Sequence, residues 1–117
     1  MLINKSGSES FDQILFVNWM RKTYPEHRVF HIANGGSRSK SEAARLKSEG
    51  VSAGVPDLCL PSLRMFIEMK KPDGTGIVSK EQEEWLKYLA SVGYSIAVCH
   101  GCEDAKEAVK AVISIKC

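Results

Sequence analysis

Apolar residues along this chain fall into two rhythms, one helical and one strand-like. Phe11, Ile14, Leu15 and Trp19 recur at helical spacing and predict a first helix from about Ser8 to Thr23, which Pro25 helps to end. Val29–Ile32 reads as a short strand, closed by the breaker Asn34-Gly35-Gly36. Ser41–Ser48 predicts a second helix with a polar surface. Gly50 and Gly54 surround a loop that ends at Pro56. Asp57–Leu60 and Met65–Lys70 read as two strands joined through Pro61-Ser62-Leu63-Arg64, and Lys71–Gly76 as a basic, glycine-containing loop. Ser79–Val92 is an amphipathic helix with Trp85, Leu86 and Leu89 on one face. Tyr94–Cys99 follows as a strand. Glu103–Ile113 is a last helix with Ala105, Ala108, Val109 and Val112 inward. The order α-β-α-β-β-α-β-α predicts an α/β sandwich around a mixed central sheet.

Composition adds limits. A chain of 117 residues, 44% hydrophobic and 26% charged, suits one domain over residues 1–117. Such a domain can bury a core without disulfide or metal staples. MLINKSGSES carries no apolar h-region, and no run approaches the roughly 18 apolar residues of a membrane span. Neither a signal peptide nor a span is expected. The cysteines, Cys59, Cys99, Cys102 and Cys117, are then expected as reduced thiols in a cytosol-like compartment. A net charge of +2 does not by itself point to nucleic acid. Arg38, Lys40, Arg45 and Lys47 do cluster, and they fit either a solvated helix face or a phosphate-binding one.

The chemistry lies in the hairpin. With a four-residue loop Pro61–Arg64, Leu60 pairs with Met65 and Asp57 stands opposite Glu68. Cross-strand Cβ atoms there lie roughly 4.5–5.5 Å apart. Two carboxylates held so close repel, and one is pushed towards protonation unless a cation joins them. A hard divalent ion such as Mg²⁺ resolves the conflict. Alternation puts Phe66, Glu68 and Lys70 on one face, so the Lys70 ammonium projects beside the acid pair. There it can orient a water or stabilise charge developing on a phosphate. A solvated Glu and Lys two apart, with Pro-Asp marking a turn, is the plainer alternative for the same residues.

The surrounding segments weigh against that alternative. Gly54-Val55-Pro56-Asp57-Leu58, then Phe66-Ile67-Glu68-Met69-Lys70, then Ser79-Lys80-Glu81-Gln82 with Trp85, Leu86 and Leu89, resemble the VRR-NUC family of the PD-(D/E)xK nuclease superfamily. Further similarity lies in His31-Ile32-Ala33-Asn34-Gly35 and in Leu46-Lys47 ahead of Gly50. The resemblance implies a restriction-endonuclease-like sandwich and an Mg²⁺- or Mn²⁺-dependent endonuclease. In it Asp57, Glu68 and the Met69 carbonyl would bind metal, and Lys70 would be the catalytic lysine. It also implies a stand-alone, phage- or prophage-derived protein of the bacterial cytoplasm that forms a homodimer and cuts branched DNA such as four-way junctions. A twofold pair would match a twofold junction. The rival within the same fold is a DNA-binding module that does not cleave.

Other residues carry two readings each. Glu9 resembles the family's acidic residue on the first helix and would join the metal. Ser6-Gly7-Ser8-Glu9 is equally a capping box. Gln82 has the same ambiguity, as a catalytic-site residue or as the end of the capping box Ser79-x-x-Gln82. His31 reads as a core or interface residue before it reads as a base. Asn34, Arg38, Lys40, Lys47 and Lys71 are candidates for binding the DNA backbone, which gives affinity without sequence reading. Cys99-His100-Gly101-Cys102 follows a strand and opens a helix, as a redox C-x-x-C would, but the rest of the chain lacks a thioredoxin-like order.

Overall fold

The computed structural model describes residues 9–33 and 39–117. Its elements run α1 (Glu9–Thr23), β1 (Phe30–His31), α2 (Lys40–Ser48), β2 (Leu58–Leu60), β3 (Met65–Lys70), α3 (Lys80–Ser91), β4 (Ser95–His100) and α4 (Cys102–Lys116). This is the expected order, with bounds shifted by a few residues at most. The sheet is mixed, in the order β1-β2-β3-β4. The β1/β2 and β2/β3 pairs are antiparallel and β3/β4 is parallel. The parallel pair requires a crossover, and α3 supplies it. Among the described residues no helix is long and apolar enough to cross a membrane.

The four-residue hairpin loop is present as expected. Pro61–Leu63 form one 3₁₀ turn that buries Leu63, and Arg64 closes it in a left-handed conformation at φ 47°. The Arg64 guanidinium then lies 4.4 Å from the centre of the Tyr94 ring. Leu60 pairs with Met65 and Leu58 with Ile67, so the predicted register is the observed one.

Side chains of β3 alternate between two environments. Met65, Ile67 and Met69 enter the main core with Leu58, Leu60 and Cys99, beneath Phe16 and Met20 of α1 and Ala105 and Val109 of α4. Phe66, Glu68 and Lys70 point to the other face. There α3 buries Leu86 and Leu89 outside that main cluster. Truncating a fully buried core residue such as Phe16 to Ala costs roughly 3–5 kcal/mol.

The phase of α1 differs from the expected one. Its buried positions are Asp12, Phe16 and Met20, whereas Ile14 and Leu15 are 55% and 43% exposed. Residues 14–17 are an unbroken apolar run, so periodicity alone fits several faces, and packing against α4 selects the one through Phe16. On α2 no residue is buried, in keeping with its expected polar surface.

Candidate active site

The site forms where β2 leaves β3. Pro56 has no amide hydrogen to extend the ladder, and β2 begins only at Leu58. Asp57 therefore lies in a bend, one residue beyond the last laddered pair Leu58–Ile67, and is not the laddered strand residue expected from the sequence. Its carboxylate takes the missing strand's place: Oδ2 accepts the Met69 amide hydrogen at 2.7 Å. The Asp57 carbonyl accepts from the Ile32 amide at 2.7 Å, which ties the bend to the end of β1.

Glu68 and Lys70 sit side by side on the α3 face, only 3% and 7% exposed. The Lys70 Nζ lies 3.4 Å from Glu68 Oε2. Gln82 bridges them, since its Oε1 accepts from Lys70 Nζ at 2.9 Å and its Nε2 donates to Glu68 Oε2 at 2.9 Å. The same Oε1 also accepts the Ser79 amide hydrogen at 2.9 Å, closing the capping box of α3. Gln82 is thus both helix cap and site residue, two readings that the sequence set against each other. Its amide orientation is fixed by chemistry, because a flipped NH₂ would face an ammonium and a peptide N–H.

Two glycines allow the elements to close on this cluster. A Cβ on Gly54, at φ +89°, would stand 2.6 Å from the Glu81 carbonyl carbon and 2.8 Å from the Gln82 nitrogen. The first turn of α3 can therefore approach the loop that leads into Asp57 only if residue 54 is glycine. A Cβ on Gly76 would meet the Lys70 stem at 3.0–3.4 Å, so this loop packs along the lysine's methylenes.

The electrostatics follow from this packing. Burial pushes the Glu68 carboxyl up to about 7, the Asp57 carboxylate adds to the rise, and Lys70 opposes it. An acid pair strained in this way, with oxygen donors only, suits a hard divalent cation. Mg²⁺ is commonly held by one or two carboxylates and keeps several waters. The residues present fit that ion.

Other expected residues fall elsewhere. Glu9 is exposed at the start of α1, and no group of three His, Cys, Asp or Glu side chains that could hold a metal occurs among the described residues. Glu9 therefore does not complete a triad with Asp57 and Glu68. The Ser6–Ser8 part of its capping box, and Asn34 and Arg38, lie outside the described residues. Lys40, Lys47 and Lys71 are exposed, as backbone-binding cations need to be. Lys47 borders an open groove of about 600 Å³ with Leu46 and Trp85, while the neighbouring Arg45 is engaged by Glu49 at 3.0 Å.

Three features escaped the sequence reading. His31 is exposed, not core, and its Nδ1 lies 2.9 Å from the Asp57 carbonyl and 3.2 Å from Gln13 Nε2. Asp12 is buried, and its Oδ1 accepts the Cys102 amide hydrogen at 2.8 Å, capping α4. Spacing from Phe16 and Met20 was the available signal for Asp12. The β4–α4 corner also grips the end of β3, through Gly101 N–H to the Lys70 carbonyl at 3.1 Å and His100 Nδ1 at 3.2 Å from the Lys71 carbonyl. The thiols of that corner are not poised for redox work. Burial pushes Cys99 up to about 12 and raises Cys102 as well.

A mixed sheet bearing an acid pair, a lysine two residues on and a glutamine from the next helix is an arrangement of the PD-(D/E)xK nuclease-type fold. Residues 2–103 match the VRR-NUC domain, and the chain belongs to the VRR-NUC family. A solved structure described as a VRR_NUC domain protein superposes with a TM-score of 0.78 at 28% identity, over 92% of this chain and 88% of that one. No curated protein matches. The family carries a nuclease-type, DNA-processing fold, and its members are generally dependent on divalent metal.

Proposed function

We propose that this protein is an Mg²⁺- or Mn²⁺-dependent endodeoxyribonuclease that hydrolyses phosphodiester bonds in branched DNA, four-way junctions included. The observation that carries the proposal is the closed set Asp57, Glu68, Lys70 and Gln82, in which a buried acid pair lies beside a lysine that is itself aimed by a glutamine. Asp57 and Glu68 would hold the ion. The Met69 carbonyl would join them, because it lies on the same strand edge as the amide that Asp57 binds. When bound, the ion polarises the phosphoryl group and acidifies the attacking water.

The chain's own groups do the rest. The Met69 amide fixes the Asp57 carboxylate, and Gln82 Nε2 fixes Glu68. Lys70, held at its tip by Gln82 Oε1, presents its charge to a phosphate entering beside the pair and stabilises the developing negative charge. Residues 1–117 act as one nuclease domain, and two copies pair so that each meets one strand of a symmetric junction. Lys40, Lys47 and Lys71 contribute backbone contacts.

The test is cleavage of labelled linear, flap and four-way DNA with Mg²⁺ or Mn²⁺. Wild-type protein should nick the four-way substrate, and Lys70→Ala should leave it intact. Wild-type inactivity on every substrate with both ions would remove the proposal and leave a non-cleaving DNA-binding module of the same fold.

A further inference from the structure

Helix α1 runs away from the acid pair and the chain returns through residues 24–29 to His31 of β1, and two hollows that share Arg21 follow this path as a trough. At the end near the site, Gln13 and His31 meet at 3.2 Å, and His31 reaches the Asp57 carbonyl. Gln13, Asn18, Arg21 and His31 line a hollow of about 240 Å³ there. At the far end Arg21 borders a second hollow of about 240 Å³, shared with His27 and Arg28. Eight residues of helix separate Gln13 from Arg21, roughly 12 Å at 1.5 Å per residue.

The charge lining the two hollows is one-sided, although the exposed Glu26 adjoins His27 in sequence. Among the described residues no carboxylate lines either hollow, whereas Glu81, Glu84 and Glu49 line the hollows beside α2 and α3. Arg21 and Arg28 are exposed, and neither has an ion-pair or hydrogen-bond partner among the described residues. Two unpaired guanidiniums bordering one hollow repel, and an anion between them would relieve that. The backbone beside Arg28 is anchored. His27 Nδ1 lies 2.8 Å from Ser62 Oγ, the His27 amide donates to the Tyr24 carbonyl at 2.9 Å, and Val29 is buried beside Arg28.

We infer that this α1–β1 trough is a track for the sugar–phosphate backbone of a DNA arm, with Arg21 and Arg28 clamping phosphates about a helix length from the scissile bond. The inference rests on the DNA-cleaving reading above and adds a surface outside the α2 and Lys71 cations. Guanidinium forks suit phosphate oxygens, and Gln13, Asn18 and His31 supply further polar groups along the way. The contacts would position an arm without reading its sequence.

The experiment is the salt dependence of binding, without divalent ion, to a labelled four-way junction and to a short duplex. Each phosphate contact contributes about 0.9 to the slope of log K against log salt on duplex DNA. Arg21→Ala with Arg28→Ala should lower the slope by about two, and either single variant by about one. Arg21→Lys with Arg28→Lys should keep it, as should Lys87→Ala on α3. A double alanine variant with the wild-type slope overturns the track, even if wild-type protein cuts DNA. A weaker Kd at unchanged slope overturns it too, because that is the mark of a structural disturbance. Wild-type protein that shows no salt-dependent DNA binding removes the track together with the reading it rests on.

Discussion

Two carboxyl groups are buried among the described residues, on opposite faces of the sheet, and their neighbours give them different work. Asp12, 8% exposed, meets the amino terminus of α4, where the Cys102 amide and the helix's own positive end receive it. Its other oxygen, Oδ2, is buried with no hydrogen-bond partner among the described residues. Glu68, 3% exposed, meets a second carboxylate, an ammonium and an amide. Burial alone therefore does not make a metal ligand. What distinguishes Glu68 is a like-charged neighbour that a proton or a cation can reconcile, whereas Asp12 binds the α4 backbone through one oxygen and docks α1 on α4.

Substitutions at the two centres should separate these roles. Asp57→Asn or Lys70→Ala should reduce cleavage by on the order of 10²–10³-fold, as loss of a charge-stabilising group does, in a quantitative nicking assay. Gln82→Ala should slow cleavage by about 10–100-fold, because it leaves the lysine and Glu68 without their orienting partner. Asp12→Ala should act on folding instead. Loss of a helix cap costs about 0.5–2 kcal/mol, which for a domain of this size lowers Tm by several degrees, read by thermal melting, with the cleavage rate of the folded protein kept. The smallest effect concerns the thiols beside Asp12. Alkylation followed by mass spectrometry should label exposed Cys117 and spare Cys99 and Cys102. Rapid labelling of the buried pair would contradict the structural reading of that corner.

Much of the Glu68 centre was legible in the sequence, and little of the Asp12 centre was. The hairpin loop length set the register that brings Asp57 to Glu68, and strict alternation put Lys70 beside it. Both are local rules with a period of two, so they survive without tertiary knowledge. Asp12 depends on which face of α1 is buried, and the apolar run from Ile14 to Val17 hides that choice until α4 packs against it. Gln82 shows a third case. Its sequence signature is a capping box, and only the close approach allowed by Gly54 reveals that the same amide also reaches Lys70 and Glu68. The bend at Asp57 is not visible in a strand that starts at Asp57, because the effect of Pro56, which gives the ladder no donor, extends one residue further.

The acid pair also fixes a dependence on pH. A Glu68 carboxyl raised from 4.5 to about 7 favours the protonated form in the folded, metal-free protein. Its contribution to stability is complete below about 4.5 and is lost as pH rises towards 7. Glu68→Gln should remove that slope and make the metal-free protein more stable at neutral pH.

Calorimetric titration of the protein with Mg²⁺ or Mn²⁺ between pH 5.5 and 8.5, roughly one and a half units either side of that raised carboxyl, is the most direct measurement of whether the pair holds an ion. Affinity should rise about tenfold per pH unit below 7, as one proton is displaced per ion, and then level off, while Asp57→Asn and Glu68→Gln should bind weakly at every pH. Binding that ignores pH across this range, or that survives both substitutions, would contradict a cation shared between Asp57 and Glu68.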